Sequence, residues 1–283
     1  MAYDYHRSGS LAEAFALAAR DDSALIAGGT DLLVALRKKK RAAPARLVSI
    51  RSLPELTAIE AGPGLLRIGA CAPLTEILAQ PVVRERLPAL AQALAVIGSR
   101  QIRNVATLGG NLCNASPGAD SAPPLLVYDA TVELAGTGGR RELPLSEFFL
   151  GPGRTALRPG EIMTAVCVPL PVPSAQSVFQ RRSRVAMDLA TASLAVNYEL
   201  QGGVLKSVRL AAGAVAPTPL RLRAAESWLE GRAVNEETLA KAVELARGEI
   251  KPIDDLRGSA WYRSELIGVF LSRAFRNRKE GDA

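Results

Sequence analysis

Ala106-Thr107-Leu108-Gly109-Gly110-Asn111-Leu112-Cys113-Asn114-Ala115-Ser116-Pro117, followed by Asp120, decides how this chain is read. The stretch holds two adjacent glycines, small hydroxyl residues, two asparagines and an acid, with no run of large apolar side chains to bury. Such a loop exposes backbone N–H groups and short polar side chains, which suit phosphates and ribose hydroxyls. Glycine also lets a backbone approach a ligand closely, because no Cβ stands in the way. A second element of the same kind lies far upstream, at Ala27-Gly28-Gly29-Thr30-Asp31. Two phosphate-type loops in one chain point to a dinucleotide.

The upstream loop follows a short apolar strand at residues 23–26 and precedes a helix that begins at Leu32. Thr30 is expected at the N-cap and Asp31 in the first turn. Strand, glycine turn and helix N-terminus form a recurrent anion site, since unpaired N–H groups and the positive dipole end face the ligand. The string is neither GxGxxG nor GxxxxGK[ST], so neither common nucleotide fingerprint applies. Taken alone, it reads equally well as a tight turn between two core elements; the downstream loop tips the balance.

Four segments in order, AGGTDLL, IRNVATLGGNLCNASPGADSAPPLL, AVAPTPLR and DDLRGSAWYR, resemble the FAD-binding medium subunit of molybdenum hydroxylases, the xanthine dehydrogenase and carbon monoxide dehydrogenase family. The resemblance covers almost the whole chain. It implies an α+β fold: a two-subdomain FAD-binding domain of the vanillyl-alcohol-oxidase (PCMH) type over residues 1–173, with subdomains of about 1–58 and 59–173. A small C-terminal antiparallel sheet with three helices, the carbon monoxide dehydrogenase flavoprotein C-terminal type, would occupy 174–283.

The resemblance also implies residue roles. Ala27, Gly28, Gly29, Thr30, Asp31 and Leu32 would hold the pyrophosphate through backbone N–H groups. Thr107, Gly109, Gly110, Asn111 and Asn114 would contact phosphate, ribose and the flavin side. Asp120 would reach a ribose or ribityl hydroxyl, although capping the helix before Pro123 is an alternative. Ile162 and Met163 would lie beside the flavin. Arg181, with Gln180 as an alternative, would stand where relatives carry a ring-side lysine; Arg184 falls in the same stretch. No residue is assigned a catalytic role of its own.

Composition sets bounds that agree. With 48% hydrophobic and 22% charged residues, the chain of 283 residues is globular rather than disordered. No apolar run approaches the roughly twenty residues that cross a bilayer, and MAYDYHRSGS lacks an apolar segment, so a cytoplasmic location is expected. Cys71, Cys113 and Cys167 form no CxxC, which argues against a cluster or zinc site built by this chain alone. The cysteine-rich insertion of the related aromatic acyl-CoA reductase medium subunits has no counterpart here. A single histidine, His6, leaves no footing for a Ser-His-Asp triad. The redox chemistry must therefore come from a bound cofactor.

The net charge of +7 invites a nucleic-acid reading. Its compact part, Arg37-Lys38-Lys39-Lys40-Arg41, ends the Leu32 helix, where cations complement the dipole. No aromatic residues interleave with it or with the tail Arg273, Arg276, Arg278 and Lys279. A solvated helix end or a patch meeting an acidic partner is the better reading.

Coarse elements follow from periodicity. Ser10-Leu11-Ala12-Glu13 is a capping box opening a helix through Ala19. Strands are expected at 47–50, 65–68, 131–134 and 162–168, and helices near 73–79, 87–96 and 123–128. A long polar loop is expected over 98–121, and loops of that length are usually functional. The prolines at 169–173 read as a stiff connection. Beyond them, 189–200 and 205–214 flank Gly202-Gly203 as a hairpin, followed by helices at 224–230, 236–247 and 259–276.

The function implied is electron relay. Substrate would be hydroxylated at a molybdopterin-bound molybdenum on a large subunit, and electrons would pass through two [2Fe–2S] clusters of a small subunit to FAD here. The acceptor would be NAD⁺, a quinone, a cytochrome or dioxygen. The assembly implied is a dimer of heterotrimers, with no nucleic-acid partner and no membrane span. A self-sufficient FAD-dependent reductase and a flavin-free scaffold subunit are the alternatives.

Overall fold

The alternation expected near the N-terminus is present as β1 (Asp4–Arg7), α1 (Leu11–Ala18), β2 (Ser23–Ile26), α2 (Leu32–Arg37) and β3 (Arg46–Ser49). The computed structural model describes residues 3–276; Arg278 and Lys279 of the basic tail lie outside them. The three strands form a parallel sheet in the order β1-β3-β2, which requires the crossovers that the helices supply. Ser10 accepts from the Glu13 N–H at 3.2 Å, and the Glu13 carboxylate reaches back to the Gly9 N–H at 2.7 Å. Asp31, rather than Thr30, stands at the N-cap of α2 and makes no side-chain capping bond. The reason is the turn at Gly29, which places the Gly29 carbonyl 3.0 Å from the Leu33 N–H as the helix opens. The basic run 37–41 lies exposed at the far end of α2.

The chain continues through α3 (Pro54–Thr57), β4 (Ile59–Ala61), β5 (Leu65–Gly69), α4 (Leu74–Ala79), α5 (Pro81–Arg86) and α6 (Pro88–Ala95). The stretch expected as one long loop contains two short helices, α7 (Arg100–Arg103) and α8 (Leu108–Cys113). Ser99 and Thr107 cap them, accepting from the Ile102 and Gly110 N–H groups at 3.3 and 3.1 Å. Helices this short carry no apolar stripe, so periodicity does not reveal them. After α9 (Ala122–Val127) come β6 (Thr131–Gly136), β7 (Gly139–Pro144), α10 (Leu145–Phe148), β8 (Phe149–Gly151), β9 (Arg154–Thr155) and β10 (Ile162–Pro169). An antiparallel sheet runs in the order β4-β5-β10-β6-β7. Its edge strand β7 carries Arg140, Arg141 and Glu142; charges on an edge discourage further pairing and also blunt the apolar alternation that would reveal the strand. Ile162 of β10 packs with Ala14, Val48 and Leu56 in a core that joins α1 and β3 to this second sheet.

Two units result. The first gathers the chain up to Pro81 with Gly98–Ala115 and Asp129–Pro169; the second gathers Val82–Ile97, Ser116–Tyr128 and everything from Leu170 onward. In the second, β11 (Gln176–Arg182), β12 (Ala192–Gln201), β13 (Val204–Gly213) and β14 (Leu220–Arg221) form a four-stranded antiparallel sheet in chain order. Gly202 and Gly203 turn the β12–β13 hairpin with φ of +59° and +78°, the geometry a two-residue primed turn needs. One face of the sheet, including Leu194, Val196, Leu210 and Ala212, packs on α11 (Arg223–Leu229), α12 (Glu236–Glu249) and α13 (Ala260–Arg276). The other face carries Ser193, Ala195, Ala211 and Gly213, and α9 lies against it. A Cβ on Gly213 would stand 3.0 Å from the Pro123 ring, so the small residues are what allow the helix this close. With both faces covered, β12 is buried from Ala192 to Tyr198.

One buried ion pair ties this unit together. Arg221 forks onto Glu226, with Nη2 to Oε2 at 2.8 Å, and its Nη1 donates to the Leu126 carbonyl of α9. Glu226 also accepts the Leu210 N–H at 2.8 Å. Removing one partner strands a buried charge. Glu226→Ala is expected to cost about 3–5 kcal/mol in urea unfolding; a loss below about 1 kcal/mol would mean that the pair is dispensable.

Candidate functional site

Both glycine loops belong to the first unit. Strand β2 ends at Ile26, whose carbonyl accepts the Ile50 N–H at 3.0 Å, and the chain then turns through Ala27–Asp31 into α2. Gly29 sits at φ +72°, a left-handed conformation that favours glycine. Among the described residues, no hydrogen bond takes the N–H of Gly28, Gly29, Thr30, Asp31 or Leu32. Five consecutive accessible donors at a helix start are a geometry that suits an anion. Leu32 anchors the cradle by packing against the small core of Ala24, Leu36 and Leu47.

Gly28 has a different task. A Cβ there would stand 2.1 Å from the Val105 carbonyl oxygen, so this loop lies flush on the backbone that leads into the second loop. Thr107 caps α8, Gly109 N–H donates to the Ala70 carbonyl at 2.9 Å, and Ala70 N–H donates to the Thr164 carbonyl of β10 at 3.0 Å. A Cβ on Gly109 would meet Ala70 atoms at 2.5–2.9 Å, so that glycine too is a spacer. Gly110 differs, being exposed, with only the Thr107 hydroxyl within 4 Å of its Cβ position, at 2.9 Å. The structure thus brings Ala27–Asp31 and the start of α8 together, with Gly110 and Asn114 exposed and Asn111 half-buried. Sequence reasoning gives no contact role to Val105, Ala106 or Ala70, which shape the site with backbone and carry no side-chain signal.

Ile162 and Met163 are buried, Ile162 in the core around Val48 and Met163 beside Leu134 in the β10–β6 ladder. Cys113, in α8, and Cys71 have thiols pushed up to about 12 by burial, so neither is a thiolate at neutral pH.

Asp120 and Arg181 belong to the second unit. Asp120 is 6% exposed; its Oδ2 stands 3.6 Å from Arg181 Nε, and its Oδ1 has no partner. Arg181 spends its other nitrogens on the carbonyls of Val96 and Asp188. Gln180 is occupied by the Phe270 carbonyl at 2.9 Å, and Arg184 by Asp188 at 2.8 Å. Burial pushes the Asp120 carboxyl up to about 6, only partly countered by Arg181. A buried acceptor with no donor fits a ligand hydroxyl.

A parallel α/β layer whose glycine loop presents unpaired N–H groups, seated on a second glycine loop, is a nucleotide-binding flavoprotein architecture. Comparison with known proteins gives the family. Residues 1–171 match the FAD binding domain in molybdopterin dehydrogenase, and residues 177–278 the CO dehydrogenase flavoprotein C-terminal domain. A putative xanthine dehydrogenase FAD-binding subunit of Escherichia coli (strain K12) is 38% identical over 95% of this chain and 93% of its own. The carbon monoxide dehydrogenase medium chain of Hydrogenophaga pseudoflava is 34% identical over 96% and 95%. The solved carbon monoxide dehydrogenase from Hydrogenophaga pseudoflava superposes with a TM-score of 0.94 at 34% identity, over 98% of this chain and 96% of that one. Quinoline 2-oxidoreductase from Pseudomonas putida 86 gives 0.92 at 31% identity, over 98% and 96%. The chain belongs to the FAD-binding medium-subunit family of xanthine dehydrogenase and carbon monoxide dehydrogenase, and is an oxidoreductase subunit. Among the described residues, no helix is long and apolar enough to cross a membrane.

Two outcomes test this geometry. Gly28→Ala is expected to destabilise the fold by about 1–3 kcal/mol or more, because backbone must yield, whereas Gly110→Ala, which asks only the Thr107 hydroxyl to shift, should cost less than about 1 kcal/mol; equal effects would refute the spacer role of Gly28. The second concerns Asp120. A carboxyl whose folded value exceeds its unfolded one contributes stability at low pH that is lost as pH rises from about 4 to about 6, here up to roughly 3 kcal/mol. Asp120→Asn in flavin-free protein should therefore raise the melting midpoint near pH 8 but not at about pH 4; a pH-independent effect would refute the charge as its cause.

Proposed function

We propose that this chain is the electron-relay subunit of a heteromeric molybdenum hydroxylase. It would hold FAD, through which electrons from [2Fe–2S] clusters on a small partner subunit would reach an external acceptor, while a large molybdopterin subunit would oxidise the substrate. The observation that carries the reading is the row of unpartnered N–H groups from Gly28 to Leu32, held against the Thr107–Gly110 turn. A dinucleotide's pyrophosphate supplies the negative oxygens this row lacks. The assembly proposed is a dimer of heterotrimers, drawing on relatives named as medium chains and FAD-binding subunits.

The bound FAD supplies the redox chemistry, since a flavin can exchange electrons singly or in pairs. The chain's own residues bind and orient it. Gly28 to Leu32 donate backbone hydrogen bonds to the pyrophosphate, and the α2 dipole adds to their pull. Thr107 fixes the α8 turn by accepting the Gly110 N–H, so Gly110, Asn111 and Asn114 meet phosphate and ribose from a rigid base. Ile162 and Met163, their side chains packed inward, offer backbone groups. Asp120 accepts a hydroxyl through its free Oδ1, and Arg181 steadies the carboxylate through its Nε.

Purified with its partners, the protein is expected to release FAD on acid treatment; FMN or no flavin would refute the reading. Gly110→Val should lower the flavin content at least about tenfold with the fold retained, because the added branch occupies the open side of α8. In that variant, substrate should still bleach the iron–sulfur absorbance while turnover with the acceptor stops. Full flavin occupancy would remove the loops from the site.

A further inference from the structure

Two glycine turns of the first unit meet around a concavity of about 330 Å³. One is the β6–β7 hairpin turn, from Gly136 to Gly139; the other runs from Arg158 to Glu161 and leads into β10. They are pressed together, since a Cβ on Gly136 would stand 2.8 Å from the Gly160 carbonyl oxygen. Gly139 and Gly160 hold φ of +116° and +79°, conformations that favour glycine. The volume is at the lower end for a small-molecule site.

The lining is rich in donors and short of acceptors. Its one carboxylate, Glu161, is already engaged: Arg141 forks onto both oxygens at 2.8 Å, and the Arg158 N–H adds a third bond at 2.8 Å. The Arg141 bonds hold the Glu161 carboxyl down at about 2, so this acid stays charged and cancels Arg141. That leaves the guanidinium groups of Arg140 and Arg158, which form no ion pair among the described residues. Arg140 also borders a neighbouring hollow lined by Glu60 and Glu133, but Arg67 engages both of those acids. The N–H groups of Thr137, Gly138 and Gly160 likewise meet no protein acceptor among the described residues. Charges that only discourage edge pairing need lie on β7 alone, whereas Arg158 comes from a separate turn. The Arg141 fork, with its further bond to the Ala156 carbonyl at 2.7 Å, fixes that turn against the hairpin.

We propose that this concavity binds a phosphate group, free or carried by a small molecule, with Arg140 and Arg158 gripping it and the turn N–H groups filling its remaining acceptors. Two guanidiniums and three N–H groups around one space match an anion with several oxygens and more than one charge. Arginine binds phosphate oxygens in pairs through its planar fork. A carboxylate offers only two oxygens and a single charge, so it would leave donors unused. The site shares no residue with the proposed flavin contacts, and it does not depend on the electron-relay reading.

The test titrates the full chain, loaded with FAD so that the Gly28–Leu32 cradle is filled, by calorimetry at constant ionic strength. The probes are inorganic phosphate, ribose 5-phosphate, ribose and acetate. Ribose 5-phosphate should bind at least about tenfold more tightly than acetate, and ribose should not bind. Inorganic phosphate binding as tightly as the ester supports free phosphate as the occupant; tighter binding of the ester supports a phosphorylated small molecule. Arg140→Gln with Arg158→Gln should weaken the ester at least about tenfold. Thr137→Glu, which sets a carboxylate among the donors, should do the same. Arg84→Gln with Arg154→Gln removes two exposed arginines outside the concavity and should bind like the wild type. Wild-type protein that binds no phosphate, or acetate as tightly as phosphate, overturns the proposal. So does binding that survives Arg140→Gln with Arg158→Gln. Loss of FAD from that variant overturns it too, because the arginines would then belong to the flavin site.

Discussion

One close approach sets the geometry of the first unit. The backbone at Val105 and Ala106 fills the space that a side chain on Gly28 would occupy, with the Val105 oxygen 2.1 Å from the Cβ position. Two loops far apart in sequence are thereby fixed against each other with no adjustable side chain between them. The second loop is referenced in turn to the sheet through Gly109, Ala70 and Thr164, each link a backbone hydrogen bond of 2.9–3.0 Å. A cradle for phosphate must hold its donors to within a few tenths of an ångström, and a chain of backbone contacts does this better than surface side chains. The paired glycines of each loop therefore divide their work. Gly28 and Gly109 are spacers, Gly29 supplies a turn at φ +72°, and Gly110 alone faces outward.

The second unit contrasts two kinds of buried charge. Glu226 is fully engaged, with Arg221 on both oxygens and the Leu210 N–H on one of them. Asp120 is as deeply buried but has a cation at 3.6 Å and an oxygen with no donor. An unmade hydrogen bond to a buried acceptor costs about 1–3 kcal/mol, so a fold that needed Asp120 only for stability would do better with an asparagine or an apolar residue there. Glu226 is a structural clasp; Asp120 is left with an acceptor that the proposed flavin contact would satisfy.

Much of this was legible in sequence, for identifiable reasons. The parallel α/β layer and the β12–β13 hairpin follow from apolar periodicity and from Gly202-Gly203, signals that local physics enforces. The edge strands β7 and β11, Gly139–Pro144 and Gln176–Arg182, give no clear apolar alternation, β7 because it is polar and β11 because only Val178 and Phe179 of its side chains are apolar and meet the core. The helices α7 and α8 were missed because a single turn or two has no period to detect. The glycine loops were recognisable as ligand-binding in composition, yet the division between spacer and outward-facing glycines depends on which backbone each one meets. That information lies in Val105 and Ala70, residues whose identity says nothing about it.

The reactive side chains of this chain are few and mostly committed. His6 is committed to Glu13 at 2.7 Å, and burial holds the Cys71, Cys113 and Cys167 thiols near 12, so its side chains bring little redox or acid–base reactivity of their own. What the chain brings instead is unfinished binding: five backbone N–H groups without a protein acceptor and a buried carboxylate oxygen without a donor. Of these, only the buried Asp120 oxygen is denied water as well as a protein donor and so costs the lone chain free energy. Anything that binds only the native state stabilises it by RT ln(1 + [L]/Kd), about 2.7 kcal/mol at a hundredfold excess over Kd. On the proposed function, a bound dinucleotide would stabilise the native chain in this way, through the loop N–H groups and Asp120.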